Sequence, residues 1–103
     1  MWAQLITTRL KPGHDEGLAK LAEQLQAVEQ PDSGLVRSTL MRDQRDPSRV
    51  LMMVVFESEQ RARERESDER RQEGLAAARA TMAEIFDGPP EFTDLTVVTE
   101  YTP

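Results

Sequence analysis

The order of patterned segments predicts an α+β protomer of the ferredoxin-like βαββαβ kind, a four-stranded antiparallel sheet with two helices on one face. Three observations carry that expectation. Strand-like runs open and close the chain, at Trp2 to Leu10 and at Phe92 to Tyr101. Two stretches, after Asp15 and after Ser58, space their apolar residues three and four apart, the helical period. Between them, the strand-like runs Leu35 to Arg42 and Val50 to Phe56 are joined by the short polar connection Asp43 to Arg49, which makes them antiparallel neighbours in a hairpin. At 103 residues the chain has room for one domain, 1–103, and no second core is expected.

Each element follows from its own residues. Trp2 to Leu10 (WAQLITTRL) is rich in Thr, Ile and Leu and stops at Lys11-Pro12-Gly13, a turn signal, so it is the first strand. Asp15 is placed to cap a helix whose stripe is Leu18, Leu21, Ala22, Leu25 and Val28, with Glu16, Lys20, Glu23 and Glu29 on the other faces, and Pro31 closes it. After Asp32-Ser33-Gly34 the second strand (LVRSTLMR) runs to Arg42, and the third (VLMMVVF) is apolar without interruption. Ser58 to about Phe86 is helical in two unlike halves. The first, SEQRARERESDERRQE, offers only Ala62 to a core and spaces Glu59 with Arg63, and Glu66 with Arg70, for pairing along one face; a break at Ser67-Asp68 is the alternative to one continuous helix. The second half presents Leu75, Ala78, Met82, Ile85 and Phe86 and ends at Asp87-Gly88-Pro89-Pro90. The last run alternates, with Leu95, Val97, Thr99 and Tyr101 on one side and Thr96 and Val98 on the other.

Composition removes several classes of function. Nineteen acidic against thirteen Lys or Arg side chains give a formal charge of −6 with no basic cluster, which argues against nucleic acid and anionic membrane surfaces. The absence of Cys removes disulfides, thiolate metal sites and cysteine nucleophiles. No stretch is long and apolar enough to span a bilayer, and Met1 runs into the first strand without a charged-then-apolar leader, so a cytoplasmic location is expected.

The third strand also predicts a partner. Val50, Met52, Val54 and Phe56 point one way while Leu51, Met53 and Val55 point the other, so it is apolar on both faces. A sheet with one face open to water alternates apolar and polar residues instead. Two helices already cover one face, and neither end of the chain is long enough to cover much of the other. A homodimer through the sheet faces is therefore expected, with Leu51, Met53 and Val55 at the interface, since leaving each wet forfeits about 1.5 to 3 kcal/mol.

Four stretches then give the whole chain a family likeness. Leu10-Lys11-Pro12-Gly13 before an amphipathic helix, Ser33-Gly34-Leu35-Val36-Arg37, Arg42-Asp43 with Asp46-Pro47 in the hairpin, and Asp87-Gly88-Pro89-Pro90 before the last strand resemble, in order and spacing, the antibiotic biosynthesis monooxygenase family of dimeric α/β barrels. The resemblance implies two protomers closing their sheets into a barrel, each with a pocket between sheet and helices. By strand parity and the family's register, the helix-facing pocket candidates are Trp2, Gln4, Ile6, Thr8 and Leu10, then Val36, Ser38 and Leu40, then Val54 and Phe56. Of these, Gln4, Thr8, Ser38 and the Trp2 indole offer hydrogen bonds, and none is a natural base; on the plainer reading Gln4 and Thr8 sit at a rim or sheet edge. In the heme-degrading branch the pattern has an Asn, a Trp and a His, whose positions fall here near Ile6, Phe56 and Arg65. All three depart, so heme degradation is not expected, and His14 reads as a solvated loop residue beside a helix start.

The other candidates read as structure. Met41, Met52 and Met53 are core filler, the acidic residues of the second helix alternate with Arg as a solvated face, and Arg37 and Arg42 lie on opposite strand faces and form no joint anion clamp. No metal and no cofactor is expected. The expected partners are a second copy of the chain and an aromatic or otherwise apolar small molecule. Two function classes follow: a cofactor-independent monooxygenase, which rests on family likeness, and a non-catalytic ligand carrier, sensor or interaction module of the same fold.

Overall fold

The polar connection Asp43 to Arg49 does make a hairpin, and its Asp43 carboxylate accepts the backbone N–H of Arg45 at 2.8 Å and of Asp46 at 3.2 Å, closing the turn. In a computed structural model describing Met1 to Pro103, the strands are β1 (Trp2–Arg9), β2 (Leu35–Arg42), β3 (Arg49–Phe56) and β4 (Glu91–Thr96). They form one antiparallel sheet in the order β2-β3-β1-β4. The helices are α1 (Glu16–Ala27), α2 (Glu59–Glu66), α3 (Glu69–Gly74) and α4 (Ala76–Ile85). This is the expected α+β ferredoxin-like arrangement. No helix is long and apolar enough to cross a membrane.

The segment from Ser58 onward is three helices, not one or two. Ser58 caps α2 by accepting the Arg61 N–H at 3.1 Å. The alternative break at Ser67-Asp68 is the one that forms: the Ser67 hydroxyl donates to the Glu64 carbonyl at 3.1 Å, and Asp68 accepts the Arg70 N–H at 2.9 Å as the cap of α3. Short polar side chains there out-compete helical backbone bonds. The break takes Glu66 and Arg70 off a common face, so their expected pair does not form. Arg70 turns to Asp68 at 2.7 Å and Asp32 at 3.3 Å, while Arg63 pairs with Glu59 at 3.4 Å, as expected, and with Glu66 at 3.2 Å.

Three other expectations are corrected. Asp15 does not cap α1: its backbone is already helical (φ −57°, ψ −39°), because the Gly17 N–H donates to the His14 carbonyl at 3.0 Å and starts the turn one residue early. Its carboxylate meets Arg42 instead, at 3.4 Å. In β2 a bulge inserts Val36 as an extra residue, since Leu35 opposes Phe56 but Arg37 opposes Val55. Leu35, not Val36, therefore shares the helix-facing side with Ser38 and Leu40, and Val36 is 48% exposed. Finally β4 stops at Thr96 rather than Tyr101, because its only neighbour, β1, runs out at Trp2, which pairs with Thr96.

Beyond Thr96 the chain leaves the ladder and crosses the face away from the helices. Glu100 reaches Arg37 on β2, the opposite edge of the sheet, at 2.5 Å. Ala3 and Val55, adjacent on that face, are 4% and 6% exposed. Leu51, Met53 and Leu5 on the same face remain half-buried.

On the helix side the apolar residues form two clusters. Leu10, Leu18, Leu21, Val50, Leu75, Ala78 and Ile85 unite α1, α4 and one end of the sheet, while Trp2, Val54, Phe56 and Ala62 unite α2 with the other end. α1 and α4 approach closely at Gly17, where an added Cβ would lie 2.5 Å from Cγ2 of Ile85. Between the clusters the sheet floor is less covered: Ile6, Met52 and Leu40, neighbours across β1, β3 and β2, are only half-buried.

Candidate functional site

The space over that floor is a cavity of about 660 Å³. Trp2, Gln4, Ile6 and Thr8 from β1, Ser38 from β2, and Val54 and Phe56 from β3 all line it. Leu35 lines it in place of Val36 because of the bulge. The roof comes from Leu21 and Leu25 of α1, Ala62 of α2 and Met82 of α4, and Phe92 of β4 stands at its side, 60% exposed. An apolar hollow with a few polar groups is the usual make-up of a small-molecule site.

Gln4 and Thr8 do not lie on a sheet edge, since β1 is an interior strand of the sheet. Gln4 donates to Asp94 of β4 at 3.0 Å, and Arg63 reaches the other oxygen of Asp94 at 3.2 Å. The Thr8 hydroxyl is buried and has no hydrogen-bond partner. Trp2 and Phe56 meet at 6.0 Å between ring centres, tilted by 45°, and each ring carries a guanidinium 5.2 Å from its centroid, Arg63 over Trp2 and Arg65 over Phe56.

One end of the cavity is charged, which the solvated-face reading of the second helix did not foresee. Arg65 grips Glu29 of the α1–β2 connection in a two-point pair, Nε to Oε2 at 2.9 Å and Nη2 to Oε1 at 2.6 Å, both side chains less than a quarter exposed. Burial pushes the Glu29 carboxyl up, but hydrogen bonds from Arg65 and Ser33 and the charges of Arg65 and Arg71 outweigh it and hold the carboxyl below its ordinary value. Glu66, Arg71 and Arg79 complete this end. Arg79 donates to Gln72 at 2.7 Å, whereas Arg71 makes no side-chain hydrogen bond or ion pair and its Nε is buried without a partner. Burial and the like charges of Arg65 and Arg79 lower the Arg71 pKa from its ordinary value. Glu59, Glu64 and Glu69, by contrast, are exposed as expected. Arg65 follows Ala62 by three positions, so extending the one core-facing residue of α2 by a helical turn would have found it.

Ile6, Phe56 and Arg65, the positions where the heme-degrading pattern has Asn, Trp and His, all line the cavity. The lining holds no His, Cys or Tyr, so no side chain there supplies the imidazole that a heme iron would take, and the residues present do not fit heme as a substrate. His14 is in the turn before α1 and is not among the lining residues.

Among solved structures, the fold is shared by a Nitrosomonas europaea protein of unknown function (19% identity over 99% of this chain and 93% of that one, TM-score 0.74). It is shared equally by Rv0793 of Mycobacterium tuberculosis (15% identity, 98% of both chains, TM-score 0.74). A third likeness is a crystal structure of an antibiotic biosynthesis monooxygenase (13% identity over 96% of this chain and 100% of that one, TM-score 0.70). No protein of curated function matches. The family described as antibiotic biosynthesis monooxygenase matches residues 1–77, from β1 through α2 and α3 and well over half of the sequence, and the chain belongs to that family.

Proposed function

We propose that the chain is a single domain, 1–103, that works in the cytoplasm as a homodimer. It binds an aromatic or polyketide-like molecule in the cavity of each protomer and oxygenates it without flavin, heme or metal. The observation that carries this reading is the cavity itself: about 660 Å³, apolar along the sheet floor and aromatic at Trp2 and Phe56. In such a reaction an electron-rich phenol loses a proton, and its anion gives electrons to dioxygen. One oxygen atom ends on carbon as a carbonyl and the other leaves as water, so substrate carbon supplies all four electrons. The chain's part is to exclude water, hold the rings flat on Ile6 and Met52, and orient oxygens toward Gln4, Thr8 and Ser38.

The dimer uses the face away from the helices, where Leu51 and Met53 stay half-buried beside the tail. Only 15 of 103 residues are buried in the isolated chain, a thin core that a second sheet would complete. The second reading, a carrier or sensor, is favoured by one observation: the lining has no free base, because its carboxylates Glu29 and Glu66 are paired to Arg65 and Arg63. Incubation with anthrone or dihydroxynaphthalene under air, with oxygen uptake followed, separates the two. Repeated turnover without added cofactor supports oxygenation; saturable binding with no oxygen consumed overturns it in favour of the carrier.

A further inference from the structure

Three guanidinium groups reach the cavity, and they are not equivalent. Arg65 is neutralised by Glu29, and Arg79 is held by Gln72. The Arg71 side chain has no hydrogen-bond or ion-pair partner and its Nε is buried, while the carboxylates whose charge reaches it, Glu29 and Glu66, are paired to Arg65 and Arg63. Counting charged lining residues, Arg65, Arg71 and Arg79 face only Glu29 and Glu66, so the wall is net positive in a chain whose overall charge is −6. A partly desolvated cation with no anion directly paired to it is a cost to the fold, and it is relieved when an anion completes the site. Across the cavity, the buried Thr8 hydroxyl is likewise unpartnered and available to donate.

We infer that the molecule bound in the cavity carries an anionic oxygen group, a carboxylate or an ionised phenol or enol, held by Arg71, with an apolar ring system lying on the floor at Ile6 and Met52. This rests on the reading of the cavity as the ligand site and adds the charge of the ligand to it. Arg71 selects: it sets which end of the molecule faces α3 and rejects neutral and cationic analogues of the same shape. Because the guanidinium stays charged throughout the accessible pH range, it stabilises an oxyanion without needing a base beside it. That is consistent with a lining in which both carboxylates are already paired.

The test uses three probes of one shape on the intact protein: naphthoate, naphthamide and naphthylmethylammonium, with affinities measured by calorimetry at fixed ionic strength. Naphthoate is expected to bind about tenfold or more tightly than naphthamide, the ratio set by a charge-assisted hydrogen bond, and the ammonium least. Arg71→Gln is expected to bring the naphthoate and naphthamide affinities to within about twofold while leaving naphthamide unchanged, and Arg71→Lys to keep part of the preference. A naphthalene-bearing ionised hydroxyquinone, run beside naphthoate, tells enolate from carboxylate as the favoured anion. Naphthoate no tighter than naphthamide on the unmodified protein, or a preference that survives Arg71→Gln, overturns the inference while leaving the ligand cavity standing. If no naphthalene probe binds at all, the cavity reading fails first and the inference with it. Should Arg71→Gln not fold, the unmodified protein's three-probe ranking decides by itself.

Discussion

Glu29→Gln is the substitution whose consequences the structure specifies most fully. The Glu29 carboxylate accepts two hydrogen bonds from Arg65, at 2.6 and 2.9 Å, with side-chain exposures of 22% and 15% for the two partners. Gln is nearly isosteric and still accepts one of the bonds. It removes the charge, however, and leaves Arg65 beside the like charge of Arg71 without its paired carboxylate. Removing one member of a fully buried pair costs about 3 to 5 kcal/mol; with some solvent reaching this pair and one bond retained, about 2 kcal/mol is expected. The pH dependence follows from the direction of the Glu29 shift. Its native carboxyl titrates below the ordinary value of 4.5, so the ionised form is what the fold favours. The stabilisation is complete above 4.5 and is lost as the pH falls through the lower native value. Urea unfolding, followed by the fluorescence of Trp2 at one protein concentration, should therefore show a gap of about 2 kcal/mol between the parent and Glu29→Gln at pH 7 that is unchanged at about pH 5.5 and narrows on further acidification. A gap under about 0.5 kcal/mol at neutral pH, or one that does not narrow in acid, would refute the assignment of this pair as the electrostatic anchor of the cavity.

Two further outcomes test the fold and the assembly. Gly17→Ala should destabilise by about 1 kcal/mol although Ala is the better helix former by about the same amount, because its Cβ would sit 2.5 Å from Ile85, itself 2% exposed, and repacking a full core costs about 1 to 3 kcal/mol. A raised melting temperature would show that α1 and α4 do not meet as described. Met53→Asp places a charge on the outer sheet face without touching the cavity, so sedimentation should find a dimer for the parent and a monomer or an aggregate for the variant. An unchanged dimer of unchanged stability would mean that this face is not the interface.

What the amino-acid pattern determined by itself was everything governed by local period and by breakers. β2 is bounded as read, β3 and β1 each differ by one residue, and the alternation of side chains grouped Trp2, Gln4, Ile6 and Thr8 on one face of β1 and Val54 with Phe56 on one face of β3, while the resemblance to the family implied that these faces meet the helices. Strand parity is a property of the extended backbone, so it holds along every stretch that no bulge interrupts. Tertiary structure decided what depends on partners distant in sequence. The bulge that swaps Leu35 for Val36, the end of β4 where β1 runs out, and the tail tied to Arg37 each depend on a neighbour across the sheet. The charged wall of the cavity is the clearest case: Arg65 and Arg71 belong to a segment whose one apolar core residue is Ala62, and the pairing of Arg65 with Glu29 from the α1–β2 connection and the break at Ser67-Asp68 depend on contacts that the local pattern does not carry. A periodic pattern marks where apolar side chains will be hidden, but a cation enters a protein's interior only where the fold brings a counter-charge or leaves one to be supplied.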